Sequence, residues 1–255
     1  MSSSQHPLGI DVGGSGIKGA PVDLEKGAFA TERLRLETPK DSTPTAVVEV
    51  IDEIARKFSR QSGKHPIGVT VPAVVSNGIV RTAANIDDSW IGTDADGLFS
   101  EHLGREVHVL NDADAAGLAE AHYGAARGTR GLVLVTTLGT GIGTALISDG
   151  RLVANSELGH IEIDGVDAET VTANSARERE DLSWQEWADR LQTYYSTLEN
   201  LLWPDLIVVG GGVSKKAEKF LPLLHLRAPI VAAQLKNDAG IIGAAHAAVH
   251  AGVHG

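Results

Sequence analysis

The sequence predicts an α/β protein in which short buried strands alternate with amphipathic helices. Three observations carry that prediction. Glycine is clustered in three patches, 13–19, 139–143 and 210–212, and each patch follows a short apolar run. Apolar residues recur at helical spacing in the stretches between. The apolar runs themselves have strand length, and none approaches the ~20 residues that cross a bilayer.

Leu8-Gly9-Ile10-Asp11-Val12 reads as the first strand. Ile17–Val22 reads as the second, because Pro21 bars a helix there. Val47, Ile51, Ile54 and Phe58 share one helix face behind the start signal Thr43-Pro44. Ile67–Val71 and Val107–Leu110 follow as strands, then Leu132–Thr136 and Gly143–Ser148. Trp187, Leu191, Tyr194, Leu198 and Leu201 predict a long helix that Pro204 ends. Leu206–Val209 is a further strand, followed by a lysine-rich helix with Lys215, Lys216 and Lys219. A last helix is expected over 239–251. Residues 13–20 and 139–145 resemble each other, each a glycine turn between two strands, as two similar halves split near 110–130 would give. The expected division is therefore 1–110 and 111–255, with the last helix able to pack back on the first domain.

The chain has 255 residues, with 33 acidic and 22 basic, a formal charge of −11. That argues against a nucleic-acid binder, which needs a basic face. A hydrophobic fraction of 42% is enough for a core and argues against disorder. With no cysteine there is no disulfide framework, thiol nucleophile or Cys-type zinc site. Met1–Pro7 lacks the basic start and apolar stretch of a secretion signal, so a cytoplasmic protein is expected, with no membrane partner.

Gly14-x-Gly16-x-x-Gly19 matches the dinucleotide fingerprint literally, yet the strand at 17–22 stands where that fingerprint needs a helix. What is left is a strand, a glycine turn (Gly13, Gly14, Ser15, Gly16) and a second strand. Glycine there permits positive φ and close backbone approach. Such a turn is either a plain hairpin or a cradle of N–H groups for phosphate. Asp11, a carboxylate at an apolar strand end, favours the second reading, with a hydrated Mg²⁺ as its partner. Lys18 either offsets phosphate charge or is solvated. Thr137, Gly139, Thr140 and Gly141 add hydroxyls to a second turn suited to a terminal phosphate. Gly211 and Gly212 open the lysine-rich helix, whose N-terminus would favour anions. Asn111-Asp112 ends a strand, where Asp112 is placed to act as a general base. Asp114 reads as a helix-start residue. Glu157 and His160, three apart around Gly159, can face one ligand or simply form a turn.

These segments, in this order from Leu8 to Ala248, resemble the ROK sugar-kinase family. The resemblance implies the actin-like ATPase (ribonuclease H-like) fold, two α/β domains flanking a cleft that holds sugar and phosphoryl donor. It implies that Asp112 is the catalytic base for the sugar 6-hydroxyl. Asn111, Glu157 and His160 would hold other hydroxyls, with Asn85 and Glu169 as further contacts. The turns at 13–16 and 139–141 would hold donor phosphates, and Asp11 would organise Mg²⁺ through water. Most members carry a cysteine-rich zinc motif after the Gly-His, but here 161–169 has no cysteine, so no structural zinc is expected. In that absence, and in Arg81–Gly92, Gly210–Pro222 and Ala239–Ala244, the chain is similar to the actinobacterial polyphosphate glucokinases. No DNA-binding region precedes Leu8, which argues against the family's repressors.

The resemblance implies phosphorylation of glucose by polyphosphate, with ATP as a further donor. The alternatives are an ATP-dependent kinase for glucose, mannose or another hexose, and a non-catalytic sugar sensor. A polyanionic donor needs a local basic track in an acidic protein, and Lys215, Lys216, Lys219 and Arg227 are expected to line it. Homodimers are usual in the family, and Trp184, Trp187 and Trp203 would serve a core or an interface.

Overall fold

The computed structural model describes residues 5–83 and 86–251. β1 (Leu8–Gly13) and β2 (Gly16–Asp23) pair antiparallel, with Asp11 opposite Lys18. Pro21 sits inside β2 opposite Leu8. The small strands β3 (Ala28–Phe29) and β4 (Leu34–Leu36) pair with β2. α1 (Pro44–Lys57) starts where Thr43 Oγ1 accepts from the Ala46 amide, and Val47, Ile51, Ile54 and Phe58 are buried as their spacing requires. The short α2 (Ser59–Ser62) leads to β5 (Ile67–Val71), buried throughout. A hairpin, β6 (Val75–Ser76) and β7 (Ile79–Val80), precedes α3 (Ala95–Leu103), β8 (Val107–Asn111) and α4 (Asp112–Tyr123). The sheet order is β3-β2-β1-β5-β8, and β1, β5 and β8 run parallel.

The second sheet repeats this plan. β9 (Leu132–Leu138) and β10 (Ile142–Ser148) form an antiparallel pair extended by β11 (Arg151–Val153). A hairpin of β12 (Glu162–Ile163) and β13 (Val166–Asp167) leads into α5 (Ala168–Thr172), α6 (Asn174–Arg179) and α7 (Trp184–Leu202). β14 (Leu206–Gly210) and β15 (Ile230–Ala232) add in parallel, giving the order β11-β10-β9-β14-β15. Alternation along β9 separates two cores. Leu134 and Leu138 meet Trp187, Leu191, Tyr194 and Leu198 of α7, while Val133 and Val135 meet Ala126, Ile147 and Val208. Each fully buried large side chain contributes about 1.5–3 kcal/mol, which outweighs the weak stability of an isolated helix. Ser183 and Glu186 close a capping box at the start of α7.

Contacts divide the chain into one unit of residues up to Ala119 plus Asp238 onward, and a second of Glu120–Asn237. The sequence boundary at 110/111 differs because Leu110 and Ala115 pack with Ala244 and Ala247 of α8 (Ala239–His250). α8 lies directly on the first sheet: a Cβ at Gly9, Gly68 or Gly243 would overlap the carbonyls of Ile241, Ala244 or Ala115.

Three other expectations need correction. Leu201 is 65% exposed, because α7 outruns its core in the last turn, and the stripe ends at Leu198. The lysine-rich helix is a run of 3-10 turns over Gly212–Lys219, broken at Lys216 (φ −116°, ψ 23°). Its amides are not aligned in an α-helix, so the anion argument from a helix dipole lapses there. Positive φ explains Gly211 (φ 80°), but not Gly13, Gly16, Gly139 or Gly141, whose φ values lie elsewhere.

Candidate active site

In the first unit, Asp11 stands next to the end of β1. Its carboxylate accepts from Thr70 Oγ1 at 3.0 Å and pairs with Lys18 Nζ at 3.4 Å. Lys18 therefore neutralises Asp11 directly. The Asp11 side chain keeps 21% of its surface in water, and a carboxylate has about four lone-pair sites, so oxygen sites are left for the water shell of a cation. A hard, oxygen-liking, hydrated Mg²⁺ fits that donor set.

The β1–β2 turn, Gly13-Gly14-Ser15-Gly16, is fixed from β4 and the segment beyond it. Arg35 donates to the Ser15 carbonyl at 2.8 Å, and Thr38 Oγ1 donates to the Gly13 carbonyl at 2.5 Å. A Cβ at Gly16 would strike the Arg35 guanidinium, so close approach explains this glycine. Spacing did not point to Arg35, Thr38 or Thr70, since nothing along the chain announces contacts across strands.

Asn111 is buried, and its Oδ1 accepts from the amides of Ala113 (2.8 Å) and Asp114 (3.1 Å). Its Nδ2 donates to the Ala73 carbonyl at 3.1 Å. Asn111, and not Asp114, is the cap of α4, and most of its amide is committed to the backbone. Asp114 sits buried in the first turn. Asp112 is the first helical residue, exposed, at the end of a helix that favours negative charge. The strand end and the cap together fix where this carboxylate projects. Asn85 lies outside the described residues.

In the second unit, β9 and β14 are parallel neighbours, and that brings the second and third glycine patches together. Gly210 pairs with Thr137, and a Cβ at Gly211 would overlap Leu138. The turn at 139–141 is anchored by α6: Ser175 donates its amide to the Gly139 carbonyl (3.1 Å) and its hydroxyl to the Thr140 carbonyl (2.6 Å). Glu169, at the start of α5, accepts from the Ile142 amide at 2.7 Å and fills the space where a Gly141 side chain would be. Glu169 thus buttresses the second turn.

Glu157 and His160 flank a single 3-10 turn, Leu158–His160. Gly159 is required because a Cβ there would overlap the Ile142 carbonyl of β10. Thr144 Oγ1 accepts from the Leu158 amide at 3.1 Å, so β10 also places Glu157. His160 Nδ1 lies 2.9 Å from Asp167 Oδ2, and this hydrogen bond raises the imidazole above its ordinary value, with Glu169 and Glu157 adding to the rise. Glu157 is exposed, yet desolvation by the packed segment around it raises its carboxyl; His160 opposes the rise and Glu169 adds to it. Glu157, His160 and Glu169 therefore interact as one cluster.

Lys215, Lys216 and Lys219 are exposed. The ammonium groups of Lys216 and Lys219 lie 5.9 and 5.6 Å from the Trp184 ring centre, and the Arg177 guanidinium lies 3.9 Å from it. Arg227 is not part of this group. It pairs with Glu199 at 3.3 Å and stacks on Trp203, because α7 ends beside it. Arg177 takes its place, a residue the sequence reading did not select.

Two sheets of one plan, each with a glycine turn after its first strand, define the actin-like ATPase fold of sugar kinases. Residues 7–176 match the ROK family, and the chain belongs to it. It is 49% identical to the polyphosphate glucokinase of Mycobacterium tuberculosis, over 97% of this chain and 93% of that protein. Among solved structures, the inorganic polyphosphate/ATP-glucomannokinase of Arthrobacter sp. strain KM superposes with a TM-score of 0.90 at 53% identity, covering 96% of this chain and 98% of that one. A ROK family glucokinase from Streptomyces griseus shares the fold at a TM-score of 0.79 and 24% identity, over 94% of this chain and 98% of that one. Among the described residues no helix is long and apolar enough to cross a membrane.

Proposed function

We propose that this chain transfers the terminal phosphoryl group of polyphosphate to the 6-hydroxyl of glucose. The full-length similarity to polyphosphate glucokinases at 49% identity carries the reading. Asp112, exposed at the start of α4, takes the hydroxyl proton as the oxygen attacks phosphorus, and the shortened polyphosphate leaves. Glu157, His160 and Glu169 hold the remaining hydroxyls, and Asn111 acts chiefly by positioning Asp112. The turns at 13–16 and 139–141 offer backbone amides to donor phosphates. Mg²⁺, held through water by Asp11, supplies charge neutralisation on the donor. Lys216, Lys219 and Arg177 form the basic surface for the chain of phosphates, with Lys215 beside them.

ATP as a second donor and mannose as a second acceptor are favoured by the Arthrobacter relative, whose name includes both activities. A cytoplasmic location and a homodimer belong to the same reading. The test is sugar-6-phosphate formation from glucose and Mg²⁺, with polyphosphate and ATP in separate reactions. Activity with ATP alone removes the polyphosphate claim. With Asp112→Ala, turnover falls at least ~10²-fold while glucose still binds. Near-normal turnover in that variant removes Asp112 from the base role.

A further inference from the structure

We propose that the second unit carries an accessory anion site that binds a run of phosphoryl groups. It is a cavity of about 670 Å³, in the size range of ligand sites. Its lining includes His122 at the end of α4, Arg127, Gly128, Thr129 and Arg130 of the following loop, and Asp149 of the β10–β11 turn.

The charge pattern is the first argument. The protein carries −11, and five of its 13 arginines pair with acids: Arg33 with Asp238, Arg56 with Asp52, Arg179 and Arg190 with Glu180, Arg227 with Glu199. Arg127 and Arg130 make no ion pair among the described residues, although they stand three positions apart on one loop. Two guanidinium groups on one concave surface repel each other, and an anion between them removes that cost.

The second argument is the composition of the lining. Asp149 is its only acid among the described residues, and one of its oxygens already accepts from the Gly131 amide at 2.8 Å. The remaining polar side chains are two guanidinium groups, an imidazole and a hydroxyl, a set dominated by donors. An unphosphorylated sugar needs acceptors as well as donors, whereas phosphoryl oxygens need donors only.

The third argument is preorganisation. Glu120, buried, accepts from the Ala125 amide at 2.7 Å. Arg127 and Thr129 donate their amides to the carbonyls of Gly124 and Ala126, each at about 3.0–3.1 Å, as in a turn. Gly128, at φ 80°, reverses the chain with nothing within 4 Å of a Cβ position, so the loop presents bare backbone. A loop held this way loses little freedom on binding.

The choice of a phosphate chain over another phosphate rests on the proposed polyphosphate reading; the site itself does not. The probe is tripolyphosphate, added to the full chain without sugar and followed by titration calorimetry at low ionic strength. The wild type is expected to bind one more molecule per chain than R127Q/R130Q, and the variant's phosphorylation rate at saturating donor is expected to be unchanged. Independently, tripolyphosphate at about ten times its Kd is expected to slow phenylglyoxal modification of Arg127 and Arg130 in the wild type by about tenfold, because only the unoccupied site reacts. Equal binding stoichiometry in the variant, or no protection, overturns the site. Protection by glucose 6-phosphate but not by tripolyphosphate overturns the phosphate-chain assignment. Protection in a protein that forms no sugar phosphate from polyphosphate upholds the site and sinks the functional reading instead.

Discussion

Gly141→Ala tests how the second glycine turn is built. Gly141 has no positive φ, so its glycine is not a backbone requirement. A Cβ there collides with the Glu169 carboxylate, the far end of a flexible side chain. The substitution should therefore act by displacing Glu169. What is lost is the 2.7 Å hydrogen bond from the Ile142 amide to that carboxylate. A hydrogen bond to a charged group contributes about 1.5–3 kcal/mol, and the lower end applies because Glu169 is only half-buried. Gly141→Ala should thus destabilise the protein by about 1.5 kcal/mol. In a Glu169→Ala background the same change should cost close to nothing, because the obstacle is gone. Urea denaturation of the four proteins gives the coupling directly. If Glu169 also touches the sugar, the glucose KM should rise about tenfold in Gly141→Ala, as 1.4 kcal/mol of lost binding requires. Additive stability losses would refute the account, since they would mean that Gly141 and Glu169 do not share the space.

Three further outcomes follow from the same geometry. His160 should titrate above its ordinary value by NMR, and Asp167→Asn should bring it back down, because the Asp167 hydrogen bond is the leading cause of the shift. With the folded value raised, this contact stabilises the fold fully at pH below the ordinary histidine value and is lost as pH rises through the folded value; an unshifted His160 would remove it. Glu120→Ala should lower stability by about 3 kcal/mol in urea denaturation, because its carboxylate holds the amides of Ala125 and Leu235 at 2.7 and 2.8 Å, with the Gln234 amide at 3.2 Å on an exposed residue discounted; an unchanged midpoint would count against that. Charge reversal at Lys216 and Lys219 should weaken polyphosphate use more than ATP use, measured as separate KM values, and equal losses with both donors would sink the basic-surface assignment.

Strands and long helices could be read from the chain because burial imposes a period on them. Ile67–Val71 is buried at every position and flanked by breakers, and the stripe Trp187, Leu191, Tyr194, Leu198 has one possible helical register. The lysine-rich segment misled because its apolar residues, Val213, Ala217 and Phe220, also fall at helical spacing. The kink at Lys216 leaves that spacing unchanged, so periodicity does not record it. Motif residues were legible where one residue type had one plausible use, as with a carboxylate at the end of β1. Their supports were not. Asp11 depends on Thr70, the first turn on Arg35 and Thr38, and His160 on Asp167; most of these pairs are set by strand register and loop packing. Asn111 shows the limit most clearly. A sugar-contacting amide and a helix-capping amide are the same letter, and only its bonds to Ala113, Asp114 and Ala73 show the second use.

Overall charge is a poor guide to the donor, and the arginines show why. A formal charge of −11 would repel a polyanion if it were spread evenly. It is not spread evenly, because ion pairing removes basic groups selectively. Arg227 stood in the sequence as part of a basic track, yet Glu199 and Trp203 hold it. Arg177, unremarkable in sequence, lies over Trp184 beside Lys216 and Lys219, with no acid closing the group among the described residues. An aromatic ring orders these cations without neutralising them, so their charge stays available to phosphate. Screening acts over about 8 Å at physiological ionic strength, which makes the local group decisive and the distant acids nearly irrelevant. Polyphosphate KM should therefore rise steeply with salt in the wild type and less steeply in Lys216→Gln/Lys219→Gln, because fewer counterions are released when the chain binds. Parallel salt dependences in the two proteins would place the polyphosphate elsewhere.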